Sequence, residues 1–140
     1  MSFLDYLRDS VVTKFEGIDE QACRREFVAS GTSLYWLVTH MTAGEINWFQ
    51  RVFAGNDVGP PDAGPDDTMA LAVRRYRAAC RESRAIVSSS ADLGHRSARP
   101  DRRGENPPLR WILVHMIEEV ARHAGHADII REQLDGCTGR

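Results

Sequence analysis

Glu119 and His123 stand four positions apart in a stretch free of helix breakers, flanked by His115 and His126. On an α-helix, residues four apart lie one turn from each other on the same face, where a carboxylate and an imidazole can grip one ion. An imidazole from a second helix would complete a two-histidine, one-carboxylate set with open positions, the arrangement that catalytic metals use. His40, about eighty positions earlier, is the candidate for that third ligand. A bland alternative competes with the shared ion: Glu119 and His123 satisfy each other by a hydrogen bond or ion pair in the core. Spacing alone leaves both readings open.

Helical phase sorts the candidates. Advancing about 100° per residue, Leu109, Ile112, Met116, Val120, Ile130 and Leu134 fill one apolar arc, with His123 in its middle and Glu119 on its shoulder. His115 and His126 fall on the rim, and Glu118 points to solvent. A carboxylate and an imidazole set into an apolar stripe need partners, because an unpaired buried charge is costly. On the earlier segment His40 lies at the edge of the arc formed by Leu34, Leu37, Met41, Trp48 and Val52, and Gly44 one turn later leaves room beside it. Glu45 falls inside that arc. It has three readings: acceptor for a metal ligand, general base, or partner of an arginine on a neighbouring helix, and structural pairing leads. Trp36 and Trp48 read as packing rather than as a substrate box.

The elements that must hold these residues are four helices. The first runs from Phe3 to Phe15 and ends near Gly17; a short polar turn or helix covers Asp19 to Arg25. The second begins after Ser30–Ser33, with Thr32 or Ser33 as its cap, and stops at Gly55. Residues 56–67 hold three of the six prolines and form a crossing loop. The third helix starts near the caps Asp66 to Thr68 and runs to about Ser90, and 92–108 is a second long connection. Pro107-Pro108 leads into the fourth helix, Leu109 to Leu134, closed by Asp135-Gly136. No stretch alternates with period two. The expectation is an all-α, single-domain four-helix bundle over residues 1–140, with long crossover connections.

Bulk properties narrow the class. At 140 residues the chain can bury about two-thirds of its unfolded surface. A formal net charge of -2 with no concentrated basic tract argues against nucleic acid or an anionic membrane surface as the main partner. Cys23, Cys80 and Cys137 lie far apart without a C-x-x-C, which fits a reducing compartment and excludes a disulfide framework. The N-terminus lacks the plan of a signal peptide and no apolar run approaches membrane-spanning length, so the expected location is cytoplasmic.

Three stretches carry a family resemblance: Ser30-Gly-Thr-Ser-Leu-Tyr-Trp-Leu-Val-Thr-His40, Glu45-Ile-Asn-Trp-Phe-Gln-Arg-Val-Phe-Ala-Gly55, and Trp111 through His115, Glu119, His123 and His126 to Asp128. With the closing Asp135-Gly136-Cys-Thr-Gly139, they resemble the DinB-like superfamily, and within it a branch classed as a domain of unknown function. The resemblance covers nearly the whole chain. It implies a four-helix bundle, commonly a homodimer, with a divalent metal held by one histidine of the second helix and a pair four apart on the last. Relatives include bacillithiol S-transferases and mycothiol-dependent maleylpyruvate isomerases.

Carried over, the metal ligands are His40, Glu119 and His123. Many members have histidine where Glu119 stands, but the maleylpyruvate isomerase branch also uses a glutamate there. The tripeptide Arg-Gly-Gln that often follows the last histidine is replaced by Ala124-Gly125-His126. His126 and Glu45 become candidates for proton transfer or support of the ligands, and His115 for a contact to ligand or thiol.

The resemblance thus implies a metal-dependent S-transferase or isomerase using zinc or nickel, with iron as a third option. Such an enzyme joins a low-molecular-weight thiol to a small electrophilic molecule, the thiol being acidified by the ion. Rivals are a metal-dependent hydrolase and a non-catalytic, stress-related bundle.

Overall fold

Ser2 opens the first helix. Its hydroxyl accepts from the Asp5 amide at 3.2 Å while Asp5 reaches back to the Ser2 amide, so two donors that a helix start leaves orphaned are satisfied together. In the computed structural model, which describes residues 2–61, 64 and 66–138, helix α1 spans Phe3–Thr13. Helix α2 is Leu34–Glu45, α3 is Met69–Ser89 and α4 is Leu109–Asp135, and no strand occurs among the described residues. The protein is an all-α bundle of the expected kind. Pro65 of the crossing loop and Gly139 of the closing motif lie outside the described residues.

The caps are local and chemical. Of the two cap candidates for α2, Ser33 fills the role, accepting from the Trp36 amide at 3.1 Å; Thr68 does the same for Leu71 at the start of α3. Gly136, at φ 73°, closes α4 in the left-handed conformation that glycine adopts without strain. The connection between α1 and α2 is also long, and a 3₁₀ turn at Ala22–Arg24 within it buries Cys23.

Helix α1 packs on α4, and α2 packs on both α3 and α4. The core between them includes Leu34, Leu37, Val38 and Met41 of α2, Tyr76 of α3, and Ile112, Met116 and Val120 of α4. Buried polar groups join the helices at two places. Arg8 of α1 donates through Nε and a terminal nitrogen to both oxygens of Glu45, at 2.8 and 2.6 Å, with neither side chain more than 4% exposed. At the far end Arg131 donates to the carbonyls of Lys14 and Glu16, and Lys14 pairs with Asp128 at 2.6 Å.

One element differs from the sequence expectation. The second helix is not regular through Val52: after Glu45 it passes into a π-helical stretch, Ile46–Phe53, where the Ala54 amide bonds to the Phe49 carbonyl five residues back. The wider turn carries Phe49 and Phe53 into the core and leaves Trp48 part-buried at its edge. The connection before α4 docks on this stretch, the Ala98 and Arg99 amides donating to the Phe53 and Val52 carbonyls at 3.0 Å. Those are carbonyls a helix end leaves free. Gly55 permits the docking, since its φ is +75° and a Cβ there would lie 2.9 Å from the Ala98 methyl.

Candidate metal centre

Two files of side chains face each other across α2 and α4. On α4 the four-residue rhythm Trp111, His115, Glu119, His123 lays aromatic and polar groups along one strip; on α2 the same rhythm brings Trp36 and His40 together. Where the files meet, His40 Nε2 lies 3.7 Å from Glu119 Oε1, and His123 Nε2 lies 3.8 Å from the same oxygen. The three residues each offer one ligand atom, all within 4.8 Å of one another. Burial is graded across them: the His40 side chain is 41% exposed, Glu119 25% and His123 11%.

The separations bear on both readings of the Glu119–His123 pair. At 3.8 Å the two are too far apart to hydrogen-bond, and His40 at 3.7 Å is likewise too far. A tetrahedral dication with bonds near 2.1 Å spreads its ligand atoms roughly 3.4 Å apart, so the two pairs at Glu119 need shifts of a few tenths of an ångström. The two imidazole nitrogens, within 4.8 Å of each other, need a larger closure that rotation of the rings can supply. The donor set, two nitrogens and one carboxylate oxygen, suits zinc, nickel or iron. The three residues could hold the ion that the resemblance implied.

Neighbours orient the three side chains. His126 Nδ1 lies 3.3 Å from His123 Nδ1, so that nitrogen is occupied and Nε2 is left facing Glu119. Arg122 takes the other oxygen of Glu119 at 3.4 Å and also pairs with the exposed Glu118. The Trp36 indole stacks on the His40 ring, centroids 4.8 Å apart and planes 8° off parallel. Burial pushes the His123 imidazole below its usual pKa, and His40 beside it adds to the effect while Glu119 opposes it. A neutral imidazole is the form that ligates.

His40 and Glu119 also border a cavity of about 880 Å³, to which the π-helical stretch and the 100–103 loop contribute. His115, expected to contact a ligand or the thiol, is not brought to His40, Glu119 and His123. It stands on the cavity wall, stacked 5.2 Å from Trp111 and edge-on to Trp48 at 4.7 Å. Trp48, read from sequence as packing, lines the cavity too. Glu45 faces away from it, wholly buried against Arg8. Gly44 lines the cavity, as the sequence suggested.

Sequence reasoning passed over Trp111, Arg51 and Arg102, which all line the space. The rhythm from Trp111 to His115 was a readable signal; the arginines, one on an unforeseen π-helical stretch and one in a loop, gave none.

No cysteine approaches the site as a nucleophile. Burial, and next Glu45, push the Cys80 thiol up to about 12, and burial raises Cys23 as well. Cys137 is exposed beyond the end of α4.

A search among curated proteins gives no match. A family model described as mycothiol-S-transferase matches residues 1–136, nearly the whole chain and the whole of the site. The protein therefore belongs to the mycothiol-S-transferase family, within the DinB-like superfamily.

Proposed function

We propose that this protein is a divalent-metal-dependent S-transferase that joins a mycothiol-type thiol to a small electrophilic molecule. The observation that carries the reading is the convergence of His40 Nε2, Glu119 Oε1 and His123 Nε2 at the edge of an 880 Å³ cavity. His40, Glu119 and His123 would hold the ion, which when bound supplies the charge that acidifies a thiol near neutral pH.

The chain's own residues do the rest. His126 keeps His123 in the tautomer that presents Nε2, and Arg122 holds the second oxygen of Glu119 so that Oε1 turns toward the imidazoles. Trp36 covers one face of His40 and restricts its rotation. His126 is exposed and does not line the cavity, and its Nδ1 is engaged by His123, so in this reading it supports that ligand and moves no proton. Glu45 is assigned to anchoring α2 against α1 through Arg8. The high pKa of the buried thiols fits a nucleophile brought by the co-substrate and not by the enzyme. His115 is assigned to the cavity wall, in contact with thiol or electrophile.

Isothermal titration of the metal-loaded protein with mycothiol, and with bacillithiol in parallel, tests the reading. Saturable binding of mycothiol that disappears on chelation is expected. No binding of either thiol with metal present defeats it, and turnover of an ester panel without thiol would replace it by a hydrolase. The proposal includes a homodimer working in the cytoplasm. Sedimentation should then give twice the 15.7 kDa of one chain.

A further inference from the structure

Thiol activation leaves most of the cavity wall unexplained. One side is aromatic: Trp48, His115 and Trp111 form a cluster with centroids 4.7 to 5.5 Å apart, each part-buried and each lining the space. Another side is basic. Arg103 is committed, paired with Asp101 at 3.1 Å and Glu105 at 3.4 Å and lying 5.0 Å over the Trp111 ring. Arg51 and Arg102 are not: both are exposed, both line the cavity, and neither has an ion pair or hydrogen bond among the described residues. Asp101 and Glu119 are the acidic residues on the wall; the first is taken by Arg103 and the second sits between two imidazoles.

A wall of indole and imidazole rings favours a flat π-system, and a guanidinium prefers a carboxylate, whose two oxygens match its fork. We infer that the cavity binds a small aromatic carboxylate, its ring against Trp48, His115 and Trp111 and its acid group at Arg51 and Arg102. Its identity as the second substrate rests on the transferase reading above; its binding does not. A sugar ring would also pack on the tryptophans, but a neutral sugar has no use for two unpaired guanidiniums at the rim.

Calorimetric titration of chelator-treated, thiol-free protein with 2-naphthoate, neutral 2-naphthamide and saturated decahydro-2-naphthoate tests the inference. Removing metal keeps the acid from binding an ion and masking the arginines. Naphthoate should bind about tenfold more tightly than either analogue, the gain expected of a charge-assisted hydrogen-bonded pair. Arg51→Gln with Arg102→Gln, both surface changes that leave the core intact, should erase the preference over the amide and leave amide affinity unchanged. Equal binding of acid and amide, wild-type affinity in the double variant, or no saturable binding below about 10 mM overturns it. Acid binding without mycothiol binding would defeat the transferase reading alone; mycothiol binding without acid selectivity would defeat this one alone.

Discussion

At the scale of single residues, the account turns on one nitrogen of His123 being occupied so that the other is free. His126 stands 3.3 Å from Nδ1 and contributes no ligand atom to the triad. Replacing such a supporting group costs a metal site about 10–100-fold in affinity. His126→Ala is expected to weaken zinc binding by that factor in a competition titration with unchanged helicity; unaltered affinity would show that His126 plays no part. Much of this centre was legible beforehand. The spacing of Glu119 and His123 and the phase of their helix singled them out, His40 stood as the candidate third ligand at the edge of its own apolar arc, and the structure brings the three together. Geometry between helices could not be read: which oxygen faces which ring, that Trp36 stacks on His40, or that Arg8 is the partner of Glu45. Those depend on how segments far apart in the chain are brought together, and one sequence does not record it.

At the scale of elements, two features make the scaffold that presents His40. The first is the Ser33 cap, buried and bonded to the Trp36 amide. Ser33→Ala should cost about 1 kcal/mol in chemical denaturation, the usual loss when such a cap goes, and a change within error would contradict the assignment. The second is the buried Arg8–Glu45 pair at the junction with the π-helical stretch. Arg8→Met leaves a carboxylate buried without its partner and should destabilise by about 3–5 kcal/mol, whereas Arg8→Met with Glu45→Leu should recover most of the loss. A double variant as unstable as the single one would show that the pair is not the cause.

Helix starts and stops were read from Ser, Thr and Gly because caps are local chemistry. The π-helical winding was not, since it departs from a regular helix by one residue per turn and is selected by the packing of Phe49 and Phe53. Trp48, expected as core or rim packing, does pack against the core, and the same winding also sets it on the cavity wall.

At the scale of the whole molecule, the bundle ties α1 to its neighbours through charge as well as apolar contact. Asp5 receives hydrogen bonds from Arg84 of α3 at 2.6 Å and from Arg8 at 3.1 Å. Burial opposes its charge, but the bonds from Arg84, Ser2 and Arg8 outweigh burial and hold the carboxyl well below the usual carboxylate range. A carboxyl depressed in the folded state stabilises fully above its unfolded value, near 3.9, and the contribution fades as pH falls toward the folded value. Stability of the wild type should therefore drop steadily below about pH 4, and less steeply in Asp5→Asn. Matching pH slopes for the two proteins would contradict the assignment. The bundle class was legible from four amphipathic segments and their breakers. The cavity beside the centre was not, because a loop, a π-helical stretch and two helices make it jointly.

The most direct measurement of the central claim is metal content by elemental analysis of protein purified without a histidine tag. The account predicts close to one divalent ion per chain in the wild type and in His115→Ala. It predicts a large loss in each of His40→Ala, Glu119→Ala and His123→Ala, all folded by circular dichroism. Metal retained in all three, or absent from the wild type after growth and reconstitution with zinc, nickel and iron, would contradict it.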